Sequence, residues 1–167
     1  MSVVEGIETE TGIARCVVLS ISGSLSSNHD KNAHFIENLL HGQGHELIYR
    51  RVLKNHENTI REGLAEALAE EGCNLILITG GTGIAKRDIT YDILRQLYES
   101  EIPGFGELFR DLAYKELGPK AMLTRASAGI IEGCLVFSLP GSPPAVKLGM
   151  ERLIIPTLND IVGEMNQ

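Results

Sequence analysis

A chain of 167 residues with ordinary globular composition is long enough for one domain with its own core, so it needs no partner simply to fold. Its formal net charge of -7 argues against a nucleic-acid surface, because phosphate-backbone binding needs clustered lysine and arginine. The three cysteines show no CxxC spacing, which favours reduced core residues over a disulfide framework. With no bilayer-length apolar run and no signal-peptide pattern, we expect a cytoplasmic protein with neither a membrane nor a nucleic-acid partner.

The first half of the chain alternates between strand-like and helix-like patterns. Residues 1–12 are polar and aperiodic, which predicts a flexible tail ahead of one domain over residues 13–167. Residues 22–32 read as a loop, and Asn58 is a candidate helix cap. Strand, helix and strand joined by short connections predict a parallel sheet with right-handed crossovers. The predicted strands are 14–21, 46–53 and 75–78, and the predicted helices run through 35–40 and 60–68.

The second half is less regular. Proline and glycine at 103–106 predict a turn, and a final helix from 145 to about 162 is expected to kink or split at Pro156. A pair of strands separated by Glu132 and Gly133 is also expected. The predicted elements are helices at 89–98, 107–117 and 145–162 and strands at 127–131 and 135–139.

A glycine-rich segment, Thr79-Gly80-Gly81-Thr82-Gly83, follows the third predicted strand and precedes a helix. Glycine reaches φ > 0 and has no side chain to keep a ligand from the backbone. The N-terminus of the following helix adds partial positive charge and unpaired N–H donors. The spacing matches neither the Walker A motif nor the dinucleotide fingerprint. We predict a phosphate-bearing ligand here, the alternative being a tight turn without a ligand.

A second glycine-bearing turn, at 140–143, also follows an apolar strand and precedes a helix. Turns that follow parallel strands lie along the carboxyl edge of the sheet, where ligands bind. Both turns should therefore face a common pocket, with serine donors from the end of the first strand. The residues expected there, besides the glycine-rich segment, are Ser20, Ser22, Pro140, Gly141 and Ser142.

Charged residues follow the first turn directly. Lys86 and Arg87 could neutralise phosphates, and Asp88 and Asp92, one helical turn apart, would project from one helix face and could hold Mg²⁺ on a triphosphate. The alternative is a capped, solvated helix start. The five histidines lack the paired spacing of a metal site, and no nucleophilic dyad is visible.

Four short sequences in order resemble the molybdenum-cofactor biosynthesis MogA/MoaB family. They are the glycine-rich segment with Arg87-Asp88, Pro-Gly-Phe-Gly-Glu at 103–107, Thr-Arg-Ala at 124–126 and Pro-Gly-Ser-Pro at 140–143. The resemblance runs from about residue 14 to residue 162, nearly the whole chain. Residues 104–110 look nearer to the MoaB branch.

That resemblance implies a three-layer α/β/α sandwich with a mostly parallel central sheet, assembled as a homotrimer or homohexamer. It also implies binding of molybdopterin, a pterin with a dithiolene and a terminal phosphate, and in MogA-like members the transfer of AMP to that phosphate from Mg-ATP, with release of pyrophosphate. By position, the glycine-rich turn would hold phosphate and Asp88 would act near the metal and the reacting phosphates. Glu107, Ser127 and the Gly141-Ser142 turn would line the pterin pocket.

Three positions depart from the family pattern. Gly23 replaces an acidic residue after the first strand, and residues 31–33 read Lys-Asn-Ala in place of the usual Ser-Gly. Asn55 stands where active adenylyltransferases carry an aspartate thought to help with metal or catalysis, and an asparagine brings no charge. The leading hypothesis is a molybdopterin adenylyltransferase with Asp88 and Asn55 as catalytic residues. A non-enzymatic molybdopterin-binding scaffold is the alternative, and another nucleotide-handling enzyme is a third possibility.

Overall fold

The computed structural model describes residues 12–22 and 28–167, so Gly23 and the predicted tail before residue 12 lie outside the described residues. Six strands form one sheet in the order β2-β1-β3-β6-β5-β4. The first four in that order are parallel, and β5 runs antiparallel to β6 and to β4. The strands are β1 (Arg15–Ser22), β2 (Glu46–Lys54), β3 (Leu75–Thr79), β4 (Ser100–Glu101), β5 (Ser127–Ile131) and β6 (Cys134–Leu139).

Helices cover both faces of this sheet, which confirms the predicted three-layer α/β/α architecture. Alternate residues of β1 face opposite layers: Val18 packs with α1, α4, α5 and α6, whereas Leu19 packs with α2 and α3. Burial on both faces explains why β1 and β3 read as continuous apolar runs. The helices are α1 (Asn28–Gly42), α2 (Glu57–Ala69), α3 (Thr90–Leu97), α4 (Pro103–Leu117), α5 (Pro143–Gly149) and α6 (Ile155–Met165).

Two segments predicted as loop or turn are helical. α1 begins at Asn28, inside the predicted loop over 22–32, and Asn32 is buried there with its side-chain amide donating to the carbonyl of Gly141 at 2.8 Å. α4 begins at Pro103, so the predicted turn at 103–106 is the first turn of this helix. Proline suits this position because its missing N–H would have no helical partner anyway. Burial of Phe105 and Gly106 then outweighs the local turn composition.

Smaller differences concern helix ends and short elements. The cap of α2 is His56, which makes no side-chain capping bond, and the predicted cap Asn58 lies inside the helix. The two-residue strand β4 was not predicted, because its exposed residues carry no apolar alternation. Residues 118–123 form a 3₁₀ helix after α4.

Between α5 and α6 the backbone passes through a π-helical turn, Met150–Ile154, just before Pro156, which confirms the expected irregularity there. No helix in the described ranges has the length and apolar character needed to cross a membrane.

A buried histidine, in the connection between α1 and β2, holds the backbone just before β1 and gives the fold a pH dependence. The Nδ1 atom of His45 accepts the backbone N–H of Ala14 at 2.9 Å. Burial lowers the pKa of His45 below its usual 6.5, and a hydrogen bond with Asn159 opposes this in part. As pH falls below about 6.5, the unfolded chain takes up a proton that the folded chain resists, so the free energy of unfolding decreases.

We therefore expect the thermal midpoint of the wild-type chain to fall further between pH 7 and pH 5 than that of His45→Gln. Glutamine retains an acceptor for Ala14 but does not titrate, so the variant should lose part of this dependence. Differential scanning calorimetry of both proteins at several pH values measures the two slopes. Equal slopes of thermal midpoint against pH for the two proteins would show that His45 does not cause the pH dependence of stability.

Candidate functional site

The two predicted glycine-bearing turns meet at the carboxyl edge of the sheet. The N–H of Gly80 donates to the carbonyl of Leu139 at 2.8 Å, and a Cβ placed on Gly141 would lie 3.4 Å from the Cα of Gly80. Ser20 and Thr79 are buried register partners at the ends of β1 and β3, directly beneath these turns. Residues from three neighbouring strands thus converge on one edge.

The segment between β3 and α3, residues 80–89, is here called the glycine loop. Gly80 and Gly81 have φ of 99° and 71°, which only glycine adopts readily. A Cβ on Gly80 would lie 2.6 Å from the carbonyl oxygen of Ile21, and one on Gly81 would strike the hydroxyl of Thr90. Thr90 closes the loop by donating its hydroxyl to Gly80 O at 2.9 Å and its N–H to Gly81 O at 3.1 Å.

Arg125 holds one side of the glycine loop by its carbonyl groups. Its backbone N–H donates to Thr82 O at 2.7 Å, its Nε to Gly83 O at 3.0 Å and its Nη2 to Asp88 O at 2.6 Å. On the other side of the loop, the Nδ2 of Asn55 donates to Arg87 O at 2.7 Å. These carbonyl oxygens are thus turned towards protein donors.

The N–H groups of the loop show the opposite pattern. Within residues 12–22 and 28–167, the backbone N–H groups of Gly81, Thr82 and Gly83 donate to no acceptor. Consecutive backbone N–H groups with inward-turned carbonyls form a concavity suited to an anion. Gly81 and Gly83 are half-buried, so a bound anion would be partly shielded from water.

Asp88 does not lie on α3, and the prediction that Asp88 and Asp92 share a helix face is wrong. α3 begins at Thr90, because that residue is tied to the two glycines. The Oδ2 of Asp88 instead accepts the N–H of Ala85 at 3.0 Å, within the glycine loop. Its Oδ1 accepts no hydrogen bond from the described part of the chain.

Asp92 is paired with an arginine. Its Oδ1 accepts Nη1 of Arg125 at 2.9 Å, and the guanidinium carbon of Arg125 lies 5.6 Å from the centre of the Tyr91 ring. Asp92 therefore neutralises Arg125. Lys86 and Arg87 are exposed on the glycine loop, where they are accessible to a charged ligand.

A cavity of about 280 Å³ lies on the α4 side of Arg125. It contains two guanidinium groups, from Arg110 and Arg125, and the predicted pocket residues Glu107 and Ser127. Glycine at 106 allows α4 to approach β5, since a Cβ there would lie 2.8 Å from the carbonyl oxygen of Ala126. The lining residues are Tyr91, Glu101, Ile102, Pro103, Gly106, Glu107, Arg110, Met122, Thr124, Arg125, Ala126 and Ser127.

Ser127, which lines this cavity, is the first residue of β5. Because β5 runs antiparallel to β6, Ser127 lies beside the end of β6. It is the register partner of Ser138, and its Oγ lies 2.7 Å from the hydroxyl of Tyr98. Burial raises the pKa of Tyr98 well above 10, so this phenol stays protonated and can donate to Ser127 or accept from it. Tyr98 thus holds the Ser127 hydroxyl oxygen in position in the cavity wall.

Most of the predicted site residues fall into two groups, and three lie outside both. The glycine loop adjoins Ser20, Thr79 and Gly141, whereas Glu107 and Ser127 belong to the cavity. Pro140 and Ser142 line a separate apolar cavity of about 250 Å³ beside α4 and α5, and Ser22 ends β1 beside Lys54. Thr82 and Thr124, whose hydroxyl oxygens are 3.4 Å apart, connect the loop with the Glu107 cavity.

Sequence reasoning did not assign a role to Arg125 or Arg110. Both lie far along the chain from the glycine loop, so no local spacing connects them with it. The Thr-Arg-Ala sequence at 124–126 was the available signal, since it was already one of the four family sequences.

The described residues contain no group of three histidine, cysteine, aspartate or glutamate side chains arranged to hold a metal. Two oxygens remain without hydrogen-bond partners among the described residues: Oδ1 of Asp88 and the buried Oδ1 of Asn55. Asn55 contacts Arg87, the neighbour of Asp88. A pair of oxygens suits Mg²⁺, which takes few protein ligands when it is bound with a polyphosphate.

Comparison with known proteins decides the family. Residues 17–160 match the model of a family described as a probable molybdopterin binding domain. The chain is also 40% identical over 166 residues to molybdenum cofactor biosynthesis protein B of Halalkalibacterium halodurans, covering 99% of this chain and 98% of that protein. The chain belongs to the MogA/MoaB family.

Solved structures place this MogA/MoaB family member on the MoaB side. A crystal structure of molybdenum cofactor biosynthesis protein B superimposes with a TM-score of 0.87 at 38% identity, covering 93% of this chain and 98% of that one. The tungsten cofactor synthesizing protein MoaB from Pyrococcus furiosus gives a TM-score of 0.83 at 34% identity, with the same coverage. The predicted family, branch and α/β fold are thus confirmed.

Proposed function

We propose that this protein acts in molybdenum cofactor biosynthesis as a molybdopterin adenylyltransferase, transferring AMP from Mg-ATP to the terminal phosphate of molybdopterin. The observation that carries this proposal is the row of N–H groups at Gly81, Thr82 and Gly83, which lie at the carboxyl edge of the sheet and donate to no acceptor among the described residues. The family match to a molybdopterin binding domain supports the pterin as one substrate. The names of the relatives, which refer to molybdenum or tungsten cofactor synthesis, support the pathway.

In the proposed reaction, an oxygen of the molybdopterin phosphate attacks the α-phosphorus of ATP. A new P–O bond forms, the bond from the α-phosphorus to the oxygen leading to the β-phosphate breaks, and pyrophosphate leaves with the bonding electrons. Such a transfer depends on positioning and charge stabilisation more than on a protein nucleophile. The glycine loop would supply N–H donors to the phosphates.

The Glu107 cavity is the proposed place for the pterin. A carboxylate at Glu107 can accept the N–H groups along the pyrimidine edge of a pterin, and Ser127 offers a fixed hydroxyl. Arg110 adds positive charge to this cavity and suits an anionic substrate. With the pterin there, its phosphate would extend past the hydrogen-bonded hydroxyls of Thr82 and Thr124 to reach the loop.

Magnesium is the proposed metal, with Asp88 and Asn55 as the residues that would hold it. When bound with ATP, Mg²⁺ supplies charge neutralisation on the triphosphate. The chain's own contribution is to keep the Asp88 carboxylate beside the N–H groups of the loop, through the bond from Ala85. Ser20, Ser22, Thr79 and Arg87 are proposed to line the nucleotide side of the same edge.

A molybdopterin-binding scaffold without turnover is the second candidate. The observation that favours it is Asn55, whose amide nitrogen is engaged by the Arg87 carbonyl and whose oxygen carries no charge. An aspartate in the same orientation would place a negatively charged oxygen against the partly negative carbonyl oxygen of Arg87, and the two would repel each other. The two candidates therefore predict the same pterin binding but different chemistry.

Pyrophosphate release distinguishes the two candidates. Purified protein is incubated with Mg-ATP, with and without freshly prepared molybdopterin, and pyrophosphate is measured by a coupled assay. Release that depends on molybdopterin supports the adenylyltransferase. Tight pterin binding by fluorescence quenching without release would support the scaffold instead.

We also propose a homotrimer or homohexamer, because the outer side of α4 and the following 3₁₀ helix expose apolar side chains. Leu117 and Met122 are 62% and 75% exposed, and Leu108, Tyr114 and Leu123 extend this α4 face. Large apolar side chains left exposed in this way are typical of a protein interface. Met122 also lines the Glu107 cavity, so assembly would close the rim of that cavity.

Leu117→Asp is expected to shift the assembly towards monomer, since it replaces a largely exposed apolar side chain with a charged one. Lys115→Gln is the matched control, because Lys115 is an exposed residue of the same helix that pairs only loosely with Asp111. Sedimentation velocity of both variants and the wild-type chain gives the masses. An unchanged mass for Leu117→Asp would exclude the α4 face as the interface.

A further inference from the structure

Arg125 donates three hydrogen bonds to the glycine loop, all of them to backbone carbonyls. Three of its nitrogens contact three different carbonyls of that loop, those of Thr82, Gly83 and Asp88, at 2.6 to 3.0 Å. A fourth nitrogen contacts the carboxylate of Asp92 at 2.9 Å. The side chain is mostly buried, with 28% of its surface exposed.

We infer that Arg125 is a positioning residue that holds the glycine loop in its anion-binding shape, and that Asp92 serves as its counter-charge instead of as a ligand of Mg²⁺. This inference deepens the proposed function and rests on the loop being the phosphate site. It assigns a role that the sequence pattern did not: Asp92, four residues after Asp88, acts through an arginine 33 residues away.

The geometry of the guanidinium explains why an arginine stands here. Its planar fork presents Nε, Nη1 and Nη2 in fixed directions, which lets one side chain serve Gly83, Asp88 and Asp92 together. A lysine has a single nitrogen and could not hold all three. Tyr91 supports the guanidinium plane at 5.6 Å.

The direction of the loop's peptide groups links these contacts to anion binding. When the carbonyls of Thr82 and Gly83 point to Arg125, the N–H groups of the same segment remain for a ligand. Loss of the Arg125 side chain frees the carbonyls of Gly83 and Asp88 to turn outward, where their partial negative charge would oppose a phosphate, whereas the backbone N–H of residue 125 still holds the Thr82 carbonyl. Asp92 keeps the arginine oriented and offsets the cost of burying its charge.

The test uses pyrophosphate as the probe and isothermal titration calorimetry as the measurement. We expect Arg125→Gln to weaken pyrophosphate binding by at least about tenfold, because two carbonyl contacts of the loop are lost. Arg125→Lys should restore only part of the affinity, and Asp92→Asn should weaken it less than Arg125→Gln does. The double variant should bind no more weakly than Arg125→Gln alone, because both residues act in one unit.

Arg95→Gln is the matched control for loss of one positive charge. Arg95 is exposed on α3 and contacts no residue of the glycine loop, so its removal should leave pyrophosphate affinity within about twofold, the scale of a screened surface charge. Thermal midpoints of all variants report folding separately. Equal pyrophosphate affinity for Arg125→Gln and the wild-type chain would overturn the positioning role.

Magnesium dependence tests the role of Asp92. If Asp92 is a counter-charge to Arg125, Asp92→Asn leaves the half-saturating Mg²⁺ concentration for Mg-ATP binding unchanged. Removal of a metal ligand would raise that concentration. A raised value would overturn the inference for Asp92.

Failure of the proposed function gives a different result from failure of the positioning role. A wild-type chain that binds neither pyrophosphate nor ATP would contradict the phosphate site itself. The positioning role is then read from amide hydrogen exchange, in which Arg125→Gln but not Arg95→Gln should speed exchange at residues 85–90. Unchanged exchange there would overturn it.

Discussion

Replacing Gly81 with alanine is expected to weaken pyrophosphate and Mg-ATP binding by at least about 100-fold, the loss of roughly two to three kcal/mol of interaction. Gly81 has φ of 71°, and an added Cβ would strike the Thr90 hydroxyl that closes the glycine loop onto Gly80. Relief requires rotation of the Gly81 peptide, which moves the N–H groups away from a ligand. The strain of such a backbone costs about 1–3 kcal/mol, so the thermal midpoint should fall as well.

Gly104→Ala is the matched control for Gly81→Ala. Gly104 lies in the first turn of α4, and a Cβ there would have no neighbour within 4 Å. We expect unchanged pyrophosphate affinity and a slightly raised thermal midpoint, since alanine favours a helix over glycine. Calorimetric titration and thermal unfolding of both variants make the comparison. Wild-type affinity in Gly81→Ala would show that the glycine loop does not bind the phosphate.

Asp88→Asn is expected to reduce molybdopterin-dependent pyrophosphate release by about 100-fold or more, as loss of a charge-stabilising group at a reaction centre does. Asparagine keeps an oxygen that can accept the Ala85 N–H, so the loop should retain its shape while the carboxylate charge is lost. Molybdopterin affinity and assembly mass should not change. The effect should appear in kcat more than in KM for molybdopterin, which steady-state kinetics separates.

Asp111→Asn controls for loss of a carboxylate elsewhere. Asp111 is exposed on α4 and pairs with Lys115 at 3.9 Å, outside the Glu107 cavity. It should leave turnover unchanged. Full turnover in Asp88→Asn would remove Asp88 from the reaction and leave the scaffold hypothesis as the better account.

Much of the fold could be predicted because its central strands are locally distinctive. β1 and β3 are buried on both faces, so their apolar runs identify them without any tertiary information. The meeting of the Gly80 and Gly141 turns followed from the rule that parallel strands share a carboxyl edge. Where long-range contacts decide the structure, the local pattern was misleading: burial of Asn32 and Phe105 extends α1 and α4 into segments with loop-like composition.

The site was less predictable, because its organising contacts join residues distant in sequence. Spacing alone put Asp88 and Asp92 on one helix face, but Thr90 starts α3 by binding the glycines, and this leaves Asp88 in the loop. The contact between Arg125 and Gly83 spans 42 residues and has no counterpart in local periodicity. The resemblance to the MogA/MoaB family marked the sequence around Arg125, but only the structure gives it a role.

The most direct test of the proposed function is mass spectrometry of the pterin after a single turnover. Stoichiometric protein, Mg-ATP and molybdopterin are mixed and quenched, and the pterin fraction is analysed for an added AMP group, with Asp88→Asn in parallel. We predict adenylylated molybdopterin with the wild-type chain and at most a trace with Asp88→Asn. Unmodified molybdopterin recovered from a wild-type complex that holds both substrates would contradict the adenylyltransferase.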